Sequence, residues 1–264
     1  MKDINRYDLL LEAFTELQPE IDSARRLTPV LAQPPLSDVL EEFGPMPSEA
    51  LFLGVASDGL PMLLNLHDPV PGPLLILGDA GAGKTNLLQT IAHAAQIMHE
   101  PGNLQFGVLT NHPADWTASE QIPNNVGIFP FYADSSQEFI LSLASWAHGN
   151  KTSKQSVLLL LDDLEAATNL DFDARQNLRW LLLRGPARRV WPIVTLNVNR
   201  LNDLQPWLEV FHTRIFGSIK DEQHARQLDA EKANLTTLNA GAGTQFALRE
   251  ENHWLRFWIP SMES

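Results

Sequence analysis

Two rhythms of apolar residues alternate along most of the chain. Runs near 74–77, 104–110, 126–131, 156–161 and 191–197 are short and almost continuously apolar, the pattern of strands buried on both faces. Between them, 84–99, 135–148 and 171–184 carry apolar residues at helical spacing. Ser135 with Glu138 predicts a capping box at the start of the second helix, and Gly185 followed by Pro186 predicts the end of the third. Strand and helix in alternation predict an α/β fold, a mainly parallel sheet with helices on both faces and ligand chemistry at the strands' carboxyl ends. Two further stretches read as strand pairs. "LFLGVASDGLPMLLNL", 51–66, turns at Ser57, Asp58 and Gly59, and "TQFALREENHWLRFWIP", 244–260, closes the chain.

Residues 1–46 follow another pattern. Helical stretches, "DLLLEAFTELQPEI" and "LSDVLEEF", are interrupted by Pro29, Pro34, Pro35 and Pro45. They predict a small N-terminal helical extension, with a main domain over 47–264. At 264 residues and 44% apolar, the chain can bury a large core. It has no Cys, which excludes disulfides and thiolate metal sites. It also has no 18-residue apolar run, and its acidic, amphipathic start does not resemble a signal peptide, so the expectation is a soluble, cytoplasmic protein without a membrane partner. A formal charge of −13 argues against a surface that binds nucleic acid all over. A local basic track remains open, because Arg175, Arg179, Arg184, Arg188 and Arg189 cluster.

The chemistry begins after the first parallel strand. Gly78-Asp79-Ala80-Gly81-Ala82-Gly83-Lys84-Thr85 matches G-x-x-x-x-G-K-[ST], with an apolar strand before it and an amphipathic helix after it. Residues Gly78 to Asn86 are therefore the expected nucleotide-binding segment. Glycines let the backbone wrap so that its N–H groups point at a polyphosphate, at the positive end of a helix. Lys84 would reach the β and γ phosphates of ATP, and the Thr85 hydroxyl would help hold Mg²⁺.

"SVLLLLDDLE", 156–165, supplies the matching acids. A buried apolar strand ending in adjacent carboxylates needs a positive partner, and Mg²⁺ is the natural one beside a phosphate loop. Asp162 fits the Walker B role of holding the metal. Asp163 fits the acid that polarises the attacking water, with Glu165 as a substitute.

With these residues in view, the chain resembles the FtsK/HerA superfamily of ring-forming motor ATPases. The resemblance rests on "LFLGVASDGLPMLLNL", "GDAGAGKTNLLQTI", "LLLRGPARRVWPIVTLNVNR" and "FHTRIFGSIKDEQHARQL", and covers about residues 47 to 260. It implies a RecA-like P-loop NTPase fold, ATP hydrolysis, a hexameric ring, and translocation of double-stranded DNA, with a nuclease or other DNA-processing protein as partner. It also implies that Asn197 is the polar sensor and that Arg184, Arg188 or Arg189 acts across a subunit boundary, near the sheet's carboxyl edge. The family's second Walker B acid is typically Glu, here Asp163, which predicts slow hydrolysis. Paired aspartates are similar to those of the ATPase modules of type VII secretion, so a protein-moving motor is the first alternative. An AAA+ ATPase and a nucleotide-binding assembly module with weak hydrolysis are the others, although AAA+ modules end in a helical lid and this chain ends in strands.

The remaining conspicuous residues read as structural. Trp146 and Trp180 fall on apolar helix faces, and Trp191, Trp254 and Trp258 fall in strands, which points to packing rather than base stacking. His67, His93, His99 and His112 show no metal-ligand spacing. Arg214 is open between a trans-acting role and pairing with the excess acids.

Overall fold

A computed structural model describes residues 33–150, 153–230, 233, 235–238, 244–250 and 253–262. The chain divides into two compact units, Met1–Pro34 and Pro35–Ser264, and every described element belongs to the second. In order, the α-helices and strands are α1 (Leu36–Phe43), β1 (Ala50–Ala56), β2 (Pro61–Asn65), β3 (Leu74–Gly78), α2 (Lys84–Met98), β4 (Leu104–Thr110), β5 (Asn125–Pro130), α3 (Asp134–Gly149), β6 (Ser156–Asp162), α4 (Phe172–Arg184), β7 (Val190–Asn197), α5 (Gln205–Leu208), β8 (Thr213–Phe216), α6 (Glu222–Gln227), β9 (Gln245–Glu250) and β10 (His253–Trp258). The helical pattern at 8–21 lies outside the described residues. Among those described, no helix is long and apolar enough to cross a membrane.

Ten strands form one sheet in the order β2-β1-β10-β9-β8-β3-β7-β6-β4-β5. From β8 to β5 all neighbours are parallel, and β9, β10, β1 and β2 extend the sheet antiparallel. The continuous apolar runs are explained by the two layers they feed. Leu75 and Leu77 of β3, with Leu159 and Leu161 of β6, pack under α3 and α4. Leu74 and Ile76, with Leu158 and Leu160, pack under α2 against Leu87, Leu88 and Ile91. Alternate residues thus serve opposite faces, so every position must be apolar.

Both predicted strand pairs are present, and three expectations change. The boundary expected after residue 46 moves to Pro35, because Leu36, Val39 and Leu40 of α1 pack on Phe52, Val55 and Ala94. The capping box does not form. Ala133 caps α3, without any side-chain bond to its first turn. α4 does stop at Gly185, but that residue is right-handed, at φ −53°. Its hydrogen is required by space, since a Cβ would lie 2.3 Å from the Leu181 carbonyl oxygen and 2.7 Å from that of Val190. The left-handed residue is Arg189, at φ 68°, after a 3₁₀ turn over Pro186–Arg188.

Candidate functional site

Four strands deliver polar residues to one edge. Parallel register places Gly78 beside Asn197 and Thr110 beside Asp162, with Leu161 beside Val194 one step earlier. The carboxyl ends of β3, β7, β6 and β4 therefore meet, as the alternating pattern requires. Around them lies a cavity of about 400 Å³ lined by the phosphate loop, Lys84, Thr85, Asn86, His112, Asp162, Asp163, Thr195 and Asn197.

The phosphate loop has the geometry its sequence calls for. Gly81 and Gly83 take φ of 77° and 83°, left-handed values at which a side chain is strained. Gly83 is the N-cap of α2, so the loop ends at the positive end of a helix of 15 residues. Lys84 is buried at the first helical position. Its Nζ donates to Gly78 O (3.2 Å), Asp79 O (2.8 Å) and Asn197 Oδ1 (2.8 Å). All three acceptors are neutral, and Lys84 makes no ion pair among the described residues, so its charge is available to an anion. Burial lowers its pKa, and the nearby charges of Asp163, Asp162 and Asp79 oppose that shift. The loop is also braced from outside. Asp79 N donates to Ser218 O (2.9 Å), and Asp79 Oδ2 accepts from Lys220 N (2.8 Å).

Asp162 is buried within a ring of donors. Thr85 Oγ1 donates to its two oxygens at 3.1 and 3.2 Å, Thr195 Oγ1 to Oδ1 at 3.1 Å, and the Trp116 indole to Oδ2 at 3.3 Å. None of these donors is charged, so the carboxylate keeps its full attraction for a cation. A hydroxyl and a carboxylate at the end of a phosphate loop are hard oxygen donors of the kind Mg²⁺ takes, and the site fits that ion.

Asp163 is strained as well as half-buried. Its φ of 91° is far from the allowed regions of a non-glycine residue and costs on the order of 1–3 kcal/mol. A bond from its N–H to Thr195 Oγ1 (2.7 Å) holds it there, and its Oδ1 is buried without a hydrogen-bond partner. Burial first, then the neighbouring Glu165 carboxylate, then Asp162, push its pKa up to about 6, against the pull of Lys84. A carboxylate near that value suits proton abstraction close to neutral pH. Glu165 does not line the cavity. Its Oε2 lies 2.9 Å from Arg200 Nε, an ion pair without hydrogen-bond alignment.

Arg188 and Arg189 are elsewhere. β7 begins at Val190 and reaches the cavity only at its far end, through Thr195 and Asn197, so both arginines stand at the amino edge, most of a strand's length from the phosphate loop. The expected position near the carboxyl edge is corrected by the crossover itself: a helix that follows β6 must run back before β7 can lie parallel. There the Arg189 guanidinium donates to Leu66 O (3.4 Å), and Arg188 O accepts from Asn150 (3.1 Å). Arg214 also has a structural job, donating to Phe211 O and Leu208 O (both 3.1 Å).

Three participants carry no motif: Trp116, Thr195 and His112. Their common signal is position, just past or within the ends of strands neighbouring β6. Of the histidines expected to be structural, His99 is one, its Nε2 2.9 Å from Ala50 O, whereas His112 lines the cavity.

By sequence the chain matches no family model and no curated protein. Its structure, however, is similar to that of EssC (ATPases 2 and 3) from Geobacillus thermodenitrificans, with a TM-score of 0.70 and 14% identity over 90% of this chain and 48% of that one. It is also similar to Thermomonospora curvata EccC (ATPases 2 and 3) in complex with a signal sequence peptide, with a TM-score of 0.65 and 12% identity over 88% of this chain and 44% of that one. The pCW3 conjugation coupling protein TcpA, in a monomer form with ATPγS, gives 0.59 and 11% identity over 88% of this chain and 70% of that one. The chain thus spans about half the length of the EssC and EccC structures it matches. At such identities the likeness concerns the fold, and it agrees with the strand order and phosphate loop described above. This chain has a RecA-like P-loop NTPase fold.

Proposed function

We propose that this protein binds Mg·ATP at the carboxyl edge of its sheet and hydrolyses it as the motor module of a ring of the FtsK/HerA type. The observation that carries the reading is the convergence of Lys84, Thr85, Asp162, Asp163 and Asn197 on one cavity, reached from separate elements. The ATPγS-bound TcpA structure, which shares the fold, supports it.

In this reading, the phosphate-loop N–H groups and Lys84 bind the β and γ phosphates. Thr85 and Asp162 hold Mg²⁺, which neutralises charge on the phosphate oxygens when bound. Asp163 accepts a proton from the water that attacks the γ-phosphorus in line, and ADP leaves with the bridging oxygen. Lys84 moves from Asn197 to phosphate oxygens, leaving the Asn197 amide to sense the γ-phosphate. Phosphate release measured with Mg·ATP tests this: the parent turns over, and Lys84→Ala does not. A Lys84→Ala protein with the parent's rate would refute it.

The cargo divides two readings. The resemblance in sequence favours double-stranded DNA, which the acidic chain must then meet through a locally basic channel. A polypeptide cargo is favoured by the fold similarity to EssC and to a peptide-bound EccC. Stimulation of phosphate release by double-stranded DNA selects the first; indifference to DNA selects the second.

A further inference from the structure

Asp162 is contacted from behind the cavity by a segment with no motif. Trp116 lies in a 3₁₀ turn over Pro113–Ser119, just after β4, and is fully buried among the apolar residues of the α2 layer. In such surroundings an indole N–H needs an acceptor, and the one it has is Asp162 Oδ2. The turn is pinned on both sides. Gln89 of α2 donates to Asp115 O (2.6 Å), and Asn125 of β5 donates to Ser119 O (2.9 Å). Thr195, fixed within β7, donates to the other carboxylate oxygen. Thr85 is different, since its hydroxyl can rotate away from Asp162 toward a cation. A rigid indole cannot.

We propose that Trp116 is a positioning residue for the divalent cation: its N–H fixes the Asp162 carboxylate for metal binding, with Thr195 as its counterpart on the second oxygen. Both donors are neutral, so they orient the carboxylate without competing for its charge, as partners of metal-ligating groups do. The inference rests on the Mg·ATP reading above.

The test measures equilibrium binding of β,γ-imido-ATP as a function of Mg²⁺ concentration, and again in EDTA. For Trp116→Phe the Mg²⁺ midpoint should rise about 10-fold or more, with affinity in EDTA within about twofold of the parent. Replacing Trp116 by 3-benzothienylalanine keeps the bicyclic shape without the N–H. It should give the same shift and serves if the phenylalanine variant does not fold. Thr195→Val should move the midpoint in the same direction, and Thr195→Ser should restore it. A parent-like midpoint in the folded Trp116 variants would overturn the inference, as would equal weakening with and without Mg²⁺, which marks lost shape alone. If the parent itself binds nucleotide without regard to Mg²⁺, the metal-site reading falls as well, a result distinguishable from either.

Discussion

The two edges of the parallel sheet are built in different ways. At the amino edge, side chains reach backbone carbonyls: Arg189 and Trp191 donate to Leu66 O, Asn150 to Arg188 O and Thr213 to Pro71 O. At the carboxyl edge, side chains meet side chains: Lys84 with Asn197, and Thr85, Thr195 and Trp116 with Asp162. The first pattern ties loops to the fold. The second concentrates charge and strain, including the left-handed Asp163, where they would cost stability without a ligand to bind. The contrast separates polar contacts that hold the molecule together from those set up for chemistry.

Substitutions at the carboxyl edge should therefore remove activity while sparing the fold, and those at the amino edge should do the reverse. The largest effect is expected of Lys84→Ala, with a fall in ATP turnover of 10³-fold or more, on the order of the loss of a principal charge-stabilising group, measured as phosphate release. Circular dichroism should show the parent's fold.

Asp163→Asn should lower turnover about 10²- to 10³-fold while keeping Mg·ATP affinity, because it removes the proton acceptor and leaves the metal site. In the parent, kcat/KM should fall as pH drops through about 6, following the ionised fraction of Asp163, and the variant should show no such inflection. If Glu165→Ala instead abolishes turnover and Asp163→Asn does not, the water is handled by Glu165.

The same substitution has a smaller, opposite effect on stability. The Asp163 carboxyl titrates at about 6 in the folded chain, above its ordinary value of 3.8, so its ionisation works against folding. That cost is absent below 3.8, grows between 3.8 and about 6, and is full at neutral pH. Asp163→Asn should be more stable than the parent at pH 8, by about 1 kcal/mol after solvent screening. The advantage should fade as pH falls from 6 toward 4, in thermal melts without Mg²⁺.

The smallest effect on function is expected at the amino edge. Arg188→Ala combined with Arg189→Ala should leave nucleotide affinity and turnover within about twofold, with a lower melting temperature from the lost bond to Leu66. Loss of turnover confined to assembled protein would show instead that a neighbour's amino edge reaches this carboxyl edge.

What the sequence disclosed follows from how local each signal is. The phosphate loop is contiguous, and its glycine positions encode a left-handed path, so Gly78 to Thr85 can be read without a fold. Asp162 and Asn197 are legible because each ends a run of buried apolar residues, and in an alternating chain such ends converge. Trp116 is hidden in "NHPADWTASE", which has neither period, yet a tryptophan in a polar stretch after a strand is itself a sign of burial. The place of Arg188 and Arg189 is not legible, because a helix end in sequence does not disclose which edge of the sheet it meets, and the returning helix carries them to the amino edge. The absent capping box has no such rule behind it: at the start of α3 the local bond is made instead by buried Ser136, whose hydroxyl donates to Ala133 O (2.8 Å).

Whether the carboxyl edge is a nucleotide site can be measured by isothermal titration of the parent with β,γ-imido-ATP in Mg²⁺, alongside Asp162→Ala. The prediction is one site per chain in the parent, with affinity that drops on chelation of Mg²⁺, and in Asp162→Ala a weak affinity that no longer responds to Mg²⁺. No heat of binding in the folded parent, or an Asp162→Ala protein with the parent's Mg²⁺ response, would contradict it.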